Sequence, residues 1–401
     1  MQNFGGVDSP DHRNDYAPVL FVPRENPFYV ALPFNDFDAQ GVHKSDLASY
    51  VPWASGQDDP ANSLLKNRWI KIRKGDKTAY AQWEDVGPFG EDDWPYVFSS
   101  SAPRNVINQH AGLDVSPAVR DYLALADIDQ VDWQFIDSAQ VPAGPWQQVV
   151  TRSPVNWVDW YHPPVKTTWQ WELQSPVNTD YDVDLYDIDL FESSAELIES
   201  LHQQGRKVIC YFSAGSYENW RSDIGDFPAA AIGNPLDDWE GEKWLDIRSQ
   251  AIWAIMQQRL DQAVTKGCDG VEPDNVDGYL NRSGFALTAE DQLDFNRFLA
   301  NQAHQRGLSI GLKNDLEQIP VLVPFFDFSV NEQCHQYQEC EAMQPFIAAG
   351  KPVFNAEYLQ KYIDNTQGER DELCADAISR KFQTLVLPLL LDDSFRFSCG
   401  D

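Results

Sequence analysis

From about residue 165 onward, short apolar runs alternate with longer stretches of helical period. The runs are Thr167–Leu173, Val183–Phe191, Lys207–Gly215, Asp269–Asn275, Leu308–Asp315, Phe326–Gln333, Lys351–Tyr358 and Thr384–Asp392. Each is short, rich in β-branched and aromatic residues and bounded by polar positions, which predicts eight strands. Between them, Ser194–Gly205, Ala251–Gly267 and Thr288–Gly307 carry apolar residues at helical spacing. Each ends in the glycine that closes a helix, and Thr288 with Asp291 has the form of a capping box. Eight strands alternating with helices predict an α/β fold, a (β/α)8 TIM barrel over residues 165–401; an open doubly wound sheet is the alternative.

Residues 1–150 follow another rule. Helical period is scarce, and Phe28–Phe34, Arg68–Gly75, Thr78–Gly87 and Val131–Asp137 read as short strands. Polar and apolar residues alternate around Lys74-Gly75-Asp76-Lys77, a hairpin signal. Ser116 followed by Pro117 opens the one helix expected there, Ser116–Leu125. The region is therefore expected to be a small all-β domain of barrel type with an auxiliary role, and residues 151–164 form a Trp/Pro-rich linker. Trp146, Trp157 and Trp160 in this exit are expected to dock on one of the domains.

A TIM barrel places its chemistry where strands end. Here those ends are polar almost throughout: Gln170 and Glu172, Asp187 and Asp189, Tyr211 and Ser213, Glu272 to Asn275, Lys313 to Asp315, Asn331 to Gln333, Glu357 and Tyr358. The densest is Lys266–Tyr279, which delivers Glu272, Asp274 and Asp277 within six residues. Carboxylates crowded at a buried strand end repel one another and resist desolvation, so folding alone would not select them. Paired carboxylates with hydroxyl-reading amides and aromatics are the equipment of glycoside hydrolysis.

Composition narrows the partners. A net charge of −32 over 401 residues disfavours nucleic acid and anionic membrane surfaces, and it attracts a cationic polymer such as one of free amino sugars. The same acidity also serves plain solubility. No apolar run reaches the length of a membrane span, and the first fifteen residues show no signal-peptide pattern. Six cysteines without a CxxC pair argue against a zinc ribbon. Cys334 and Cys340 enclose a short polar loop that suits a disulfide, Cys374 with Cys399 is a second candidate pair, and Cys210 and Cys268 read as buried thiols. An exported protein, extracellular or periplasmic, is expected, acting as a monomer. With seven scattered histidines and no phosphate-cradling glycine loop, neither a metal nor a cofactor is expected.

Two resemblances sharpen this. Trp83–Phe89 (WEDVGPF) and Gly112–Leu123 (GLDVSPAVRDYL) resemble the paired motifs of the RlpA-like double-psi β-barrel. That fold hosts lytic transglycosylases and expansins, so the resemblance implies action on cell-wall polysaccharide, with Asp85 and Asp114 on its two motif aspartates. Val86 stands where the family has Arg, and residues 91–105 are inserted between the motifs. An aspartate at a turn or helix start also caps backbone N–H groups, so both readings of Asp85 and Asp114 stay open.

The second half, through YDIDLF, VICYFSAGSYENWR, KWLDIR, KGCDGVEPDNVDGY, LKNDLEQ, FDFSVNEQCHQYQEC and LVLPLLLDDSF, resembles glycoside hydrolase family 114, the endo-α-1,4-polygalactosaminidases. The resemblance implies a barrel that hydrolyses α-1,4-linked galactosamine polymers, with Asp274 and Glu332 as the essential carboxylates. Asp187, Tyr211, Glu272, Asp277, Tyr279, Lys313, Asp315, Glu357 and Tyr358 are the residues expected to hold substrate, each of them equally able to serve as a cap, a core residue or a support for its neighbours. Two other functions compete: a polysaccharide- or wall-binding protein without turnover, and a wall-cleaving enzyme that uses the N-terminal domain.

Overall fold

The computed structural model describes residues 4, 6–14, 16–18, 23–54, 63–147, 154–155, 158–237 and 239–400. The chain divides into two compact units, residues 1–157 and 158–401.

The first unit is built on a five-stranded mixed sheet. Its strands are β1 (Tyr29–Leu32), β2 (Arg68–Lys74), β3 (Lys77–Val86), β4 (Asp114–Val115) and β5 (Asp132–Phe135), in the order β4-β1-β3-β2-β5. The hairpin β2–β3 turns through Gly75 at φ 58°, a backbone angle that costs glycine little. Helices α1 (Trp94–Phe98) and α2 (Pro117–Leu123) lie between the strands in sequence, and Ser116 caps α2 by accepting from Val119 N–H. Phe28, Trp69, Ile70, Trp83 and Trp146 share its core. Trp146 thus docks on this unit, its indole N–H donating to Pro142 O at 2.9 Å. Trp157 lies outside the described residues.

The second unit carries eight parallel strands in sequence order: β6 (Trp169–Glu172), β7 (Leu185–Asp189), β8 (Lys207–Ser213), β12 (Gly270–Asp274), β13 (Ser309–Lys313), β14 (Phe328–Glu332), β15 (Val353–Glu357) and β16 (Gln383–Val386). A short antiparallel strand, β17 (Phe397–Ser398), flanks β16. The sheet curls so far that Trp169 and Trp171 of β6 share a core with Leu385 and Leu387 at the other edge. There Trp169 Nε1 donates to Gln383 O at 2.9 Å and Leu173 N–H to Leu391 O at 3.2 Å. This is a TIM-barrel-like fold. The eighth strand is shorter than the apolar run predicts, because Pro388 has no N–H to give the ladder. Leu389 and Leu390 are instead exposed beyond it.

Three long helices follow the expected pattern: α3 (Ala195–Gln203), α4 (Gln250–Lys266) and α5 (Ala289–Gln305). Gly267 closes α4 at φ 90°, and Thr288 and Asp291 make a complete capping box on α5. Trp253 and Phe298 stack between these two helices at 4.4 Å. Trp160, in this unit, stacks on His304 at 3.9 Å and donates to Asp327 at 2.9 Å.

Three disulfides tie the unit together: Cys334–Cys340, Cys374–Cys399 and Cys210–Cys268. The last corrects the expectation of two separate buried thiols. Cys210 lies in β8, Cys268 precedes β12, and these strands are neighbours in the sheet, so the chain returns beside its starting point after a sequence separation of 58.

Between β8 and α4 the chain makes an excursion that the barrel pattern does not require. It folds as its own antiparallel sheet, β9 (Ser216–Glu218), β10 (Ile232–Pro235) and β11 (Glu242–Leu245), in the order β9-β11-β10.

Candidate active site

At the C-terminal ends of β12, β13 and β14 the chain leaves each strand sharply. Asn275, Asn314, Asp315 and Gln333 all take φ between 46° and 61°, the left-handed region that Asn and Asp tolerate best. Each turn lifts the preceding side chains into a cleft of about 610 Å³. Tyr211, Asp274, Asp277, Lys313 and Glu332 line it, together with Trp171, Asn314 and Gln333.

Lys313 is the centre of the arrangement. Its Nζ lies 3.1 Å from Asp274 Oδ2, 3.4 Å from Glu332 Oε2 and 3.2 Å from Glu272 Oε1. It also sits over the Trp171 ring at 4.8 Å. Burial alone would lower its pKa, but Asp274, Glu272 and Glu332 together outweigh burial and hold the ammonium charged. The lysine side chain is 2% exposed, whereas Asp274 and Glu332 are 19% and 29% exposed and open to the cleft.

Each of these two carboxylates is further fixed by donors. Asp274 accepts from Tyr211 Oη at 3.0 Å and from Asn275 N–H at 2.6 Å. Glu332 accepts from Tyr358 Oη at 2.7 Å and from Asn314 Nδ2 at 3.3 Å. The Asn314 side chain is itself oriented, since its Oδ1 accepts from Glu332 N–H and from Asn331 Nδ2. Two carboxylates held by donors and joined through one ammonium can perform nucleophilic or acid–base chemistry on a bound group without rearranging.

The other expected site residues fall into two groups. Asp277 lines the cleft, and burial followed by the Asp274 charge pushes it up to about 6. Tyr358 reaches the site through Glu332 alone, and Glu272 lies beneath Lys313, fully buried, pushed up to about 7 by burial in spite of the lysine. Asp187, Tyr279, Asp315 and Glu357 do not line the cleft. Asp187 is buried inside the barrel, where burial and then Glu272 raise its pKa well above the carboxylate range. Asp315 is pushed up to about 8 by burial and then Asp277, and it accepts from Asn296 at 2.9 Å. Glu357 accepts from His335 N–H at 2.8 Å, so it anchors the loop that carries the Cys334–Cys340 disulfide. Tyr279 donates to Glu317 at 3.4 Å. The period of two that set these residues on strand ends does not tell how deep in the barrel each side chain lies.

Sequence reasoning missed one wall of the cleft. The excursion β9–β11 contributes Asp237, Trp239, Glu242 and Trp244 to the lining. A stretch of some 35 residues between a strand and its helix exceeds ordinary connections by so much that it marks a functional loop, which was the available signal. Gly215 keys this wall to the strand end. Its N–H and that of Ala214 donate to Asp274 O, its own O accepts from Leu245 N–H, and a Cβ there would meet Asn275 O at 1.7 Å.

In the first unit Asp85 and Asp114 come together. They flank Ala31 of β1 on its two neighbouring strands and line a separate cavity of about 480 Å³ with Asp127, Asp129 and Arg120. Both are exposed, and partial burial followed by the Asp85 charge raises Asp114. Among the described residues, the single His/Cys/carboxylate group spaced to hold a metal ion is Cys334, His335 and Cys340, whose two sulfurs are spent in a disulfide. Among the described residues no helix is long and apolar enough to cross a membrane.

Comparison with known proteins bears on the second unit. The model of glycoside-hydrolase family GH114 matches residues 149–401. The crystal structure of Aspergillus fumigatus Ega3 in complex with galactosamine is 46% identical; the match covers 60% of this chain and 98% of that one, with a TM-score of 0.58. The glycoside hydrolase domain of PelA from Pseudomonas aeruginosa is 17% identical over 58% of this chain and 98% of that one, with a TM-score of 0.46. An uncharacterised protein of Deinococcus radiodurans is 27% identical over 180 residues, which are 39% of this chain and 58% of that relative's length.

Proposed function

The chain belongs to glycoside-hydrolase family GH114, and from that premise we propose that its barrel cleaves α-1,4-linked galactosamine-containing polysaccharide internally. The observation that carries this reading is the Asp274–Lys313–Glu332 bridge at the mouth of the strands. The galactosamine bound to Ega3 supports the substrate class.

Asp274 is the nucleophile and Glu332 the acid and base. In the first step Asp274 attacks the anomeric carbon while Glu332 protonates the departing glycosidic oxygen. In the second, Glu332 takes a proton from water, which displaces Asp274 and releases the sugar. Tyr211 and Asn275 N–H hold Asp274 in line, and Lys313 keeps its charge in place. One ammonium touches both carboxylates, so their nearest oxygens are no farther apart than contacts of 3.1 and 3.4 Å laid end to end. A pair gathered around one ammonium suits the double displacement, for which about 5–5.5 Å between carboxyl groups is usual. NMR of the freshly released reducing end tests it: the α anomer should appear first, and a β anomer appearing first excludes the double displacement.

Asp277 and the cleft walls hold the sugar ring. For the first unit we propose an auxiliary polysaccharide-binding role at the Asp85–Asp114 cavity, which the RlpA-like motifs support. Three disulfides support an extracellular or periplasmic setting, where such bonds persist.

A further inference from the structure

The excursion wall holds a carboxyl group with no counter-ion. Glu242 is 9% exposed and lines the cleft. One of its oxygens accepts from Ser216 Oγ at 2.7 Å. Ser216 meets Ser213 at 2.6 Å, Ser213 accepts from Asn275 Nδ2 at 2.8 Å, and Asn275 N–H donates to Asp274. Glu242 is therefore fixed in register with Asp274 through side chains that have little freedom left.

No described lysine, arginine or histidine lies within ion-pair distance of Glu242. Arg221, which bears on it at longer range, is bonded to Glu218 and Asp189. Lys313 is shared among Glu272, Asp274 and Glu332, and Arg282 lines the exposed rim. Asp277, in the loop after the strand that carries Asp274, also lines the cleft with no described cation at ion-pair distance, and Asn281 Nδ2 lies 3.3 Å from its Oδ1.

We propose that Glu242 is a specificity-determining residue whose free oxygen accepts a hydrogen bond from a substrate ammonium, and that it thereby selects free over N-acetylated amino sugar. The inference rests on the hydrolase reading above and adds to it the group that reads the amine. An ammonium offers three donors to a wall of acceptors and makes a charge-assisted bond there. An acetamide carries no charge and offers one donor, and its methyl gives the wall of acceptors nothing to bind. Burial, with the nearby charges of Glu218 and Asp274, pushes Glu242 up to about 7, and an arriving cation relieves that penalty.

The test pairs turnover with binding. Wild type and Glu242→Gln are assayed on α-1,4-galactosamine polymers of graded N-acetylation. Galactosamine and N-acetylgalactosamine are also titrated calorimetrically into each protein. The variant should lower the ratio of kcat/KM on free-amine to acetylated polymer by about tenfold or more, mostly through KM, and weaken galactosamine alone by a similar factor. An equal loss on both polymers would mean that Glu242 acts only by positioning Asp274, and an unchanged ratio would remove it from recognition; either overturns the proposal. Should wild type cleave neither polymer, the hydrolase reading fails, and the calorimetry still decides the amine site. Gln keeps the bond to Ser216, and a melting curve checks folding. If Gln unfolds the protein, Glu242→Asp, charged but shorter, is read by the same galactosamine titration, where unchanged affinity counts against the proposal.

Discussion

Both units bring two aspartate or glutamate side chains together at a cavity, yet they treat the charge differently. In the barrel Asp274 and Glu332 stand two strands apart, with a lysine that is 2% exposed set between them. In the first unit Asp85 and Asp114 flank one strand in the open. Among the described residues no cation is bonded to either, while the nearby Arg120 and Lys74 are engaged with Asp121 and Asp129. Coulomb attraction that is worth little in water grows several-fold where water is excluded. What separates the two pairs is thus the dry cation, not the acids themselves.

The comparison is broken most directly at the acids. Asp274→Asn and Glu332→Gln should each fold and lose at least about a thousandfold in kcat/KM on galactosamine polymer, a change of ~4 kcal/mol in barrier. Asp85→Asn and Asp114→Asn should stay within about twofold on the same substrate by reducing-end release. A collapse in the latter pair would make the first unit part of the reaction.

Next comes the cation. Lys313→Met strands three carboxylates, which should cost about 3–5 kcal/mol in a urea melt. Lys74→Met removes a half-buried partner of Asp129 and should leave the urea midpoint nearly unchanged. Comparable losses would show that the barrel lysine is not energetically special.

The smallest expected effect sharpens the contrast through pH. Glu242, Glu272 and Glu357 are pushed up to about 7, Asp277 to about 6 and Asp315 to about 8. Unfolded carboxyls titrate near 4, so between about pH 4 and 8 the folded protein keeps protons that the unfolded chain has released. Stability therefore falls as pH rises through that window. The melting temperature should drop from pH 5 to pH 8, and Asp315→Asn should flatten the drop. A melting temperature that climbs toward pH 8 refutes this account.

Much of the barrel was legible because its signals are local. Strand cores such as Val271 and Ile310, the glycine after α4 and the Thr288–Asp291 box each act within a few residues. The places of Asp274 and Glu332 at the mouth were legible for the same reason, lying in dense polar strand ends, while their choice as the essential pair came from the family resemblance. The Cys210–Cys268 bond was not, since each cysteine sits in an ordinary apolar run and only the sheet order makes them neighbours. Nor could the depth of Asp187 or Glu357 be read, because alternation fixes the face of a strand and not its height in a barrel. Glu242 escaped because its meaning comes from the serines and Asn275 that it touches across the fold.

A single close contact limits how such a cleft can change over generations. At Gly215 the excursion is welded to the strand that bears Asp274, with 1.7 Å left where a methyl group would go. Beyond that seam, Asp237 and Trp239 are exposed and bound only loosely by packing demands. Drift can therefore rewrite the tip of the wall, and with it the preferred polymer, while the seam stays frozen. A grafted wall from another barrel would be expected to transplant its taste in sugars, provided that its own second residue after the strand is also a glycine.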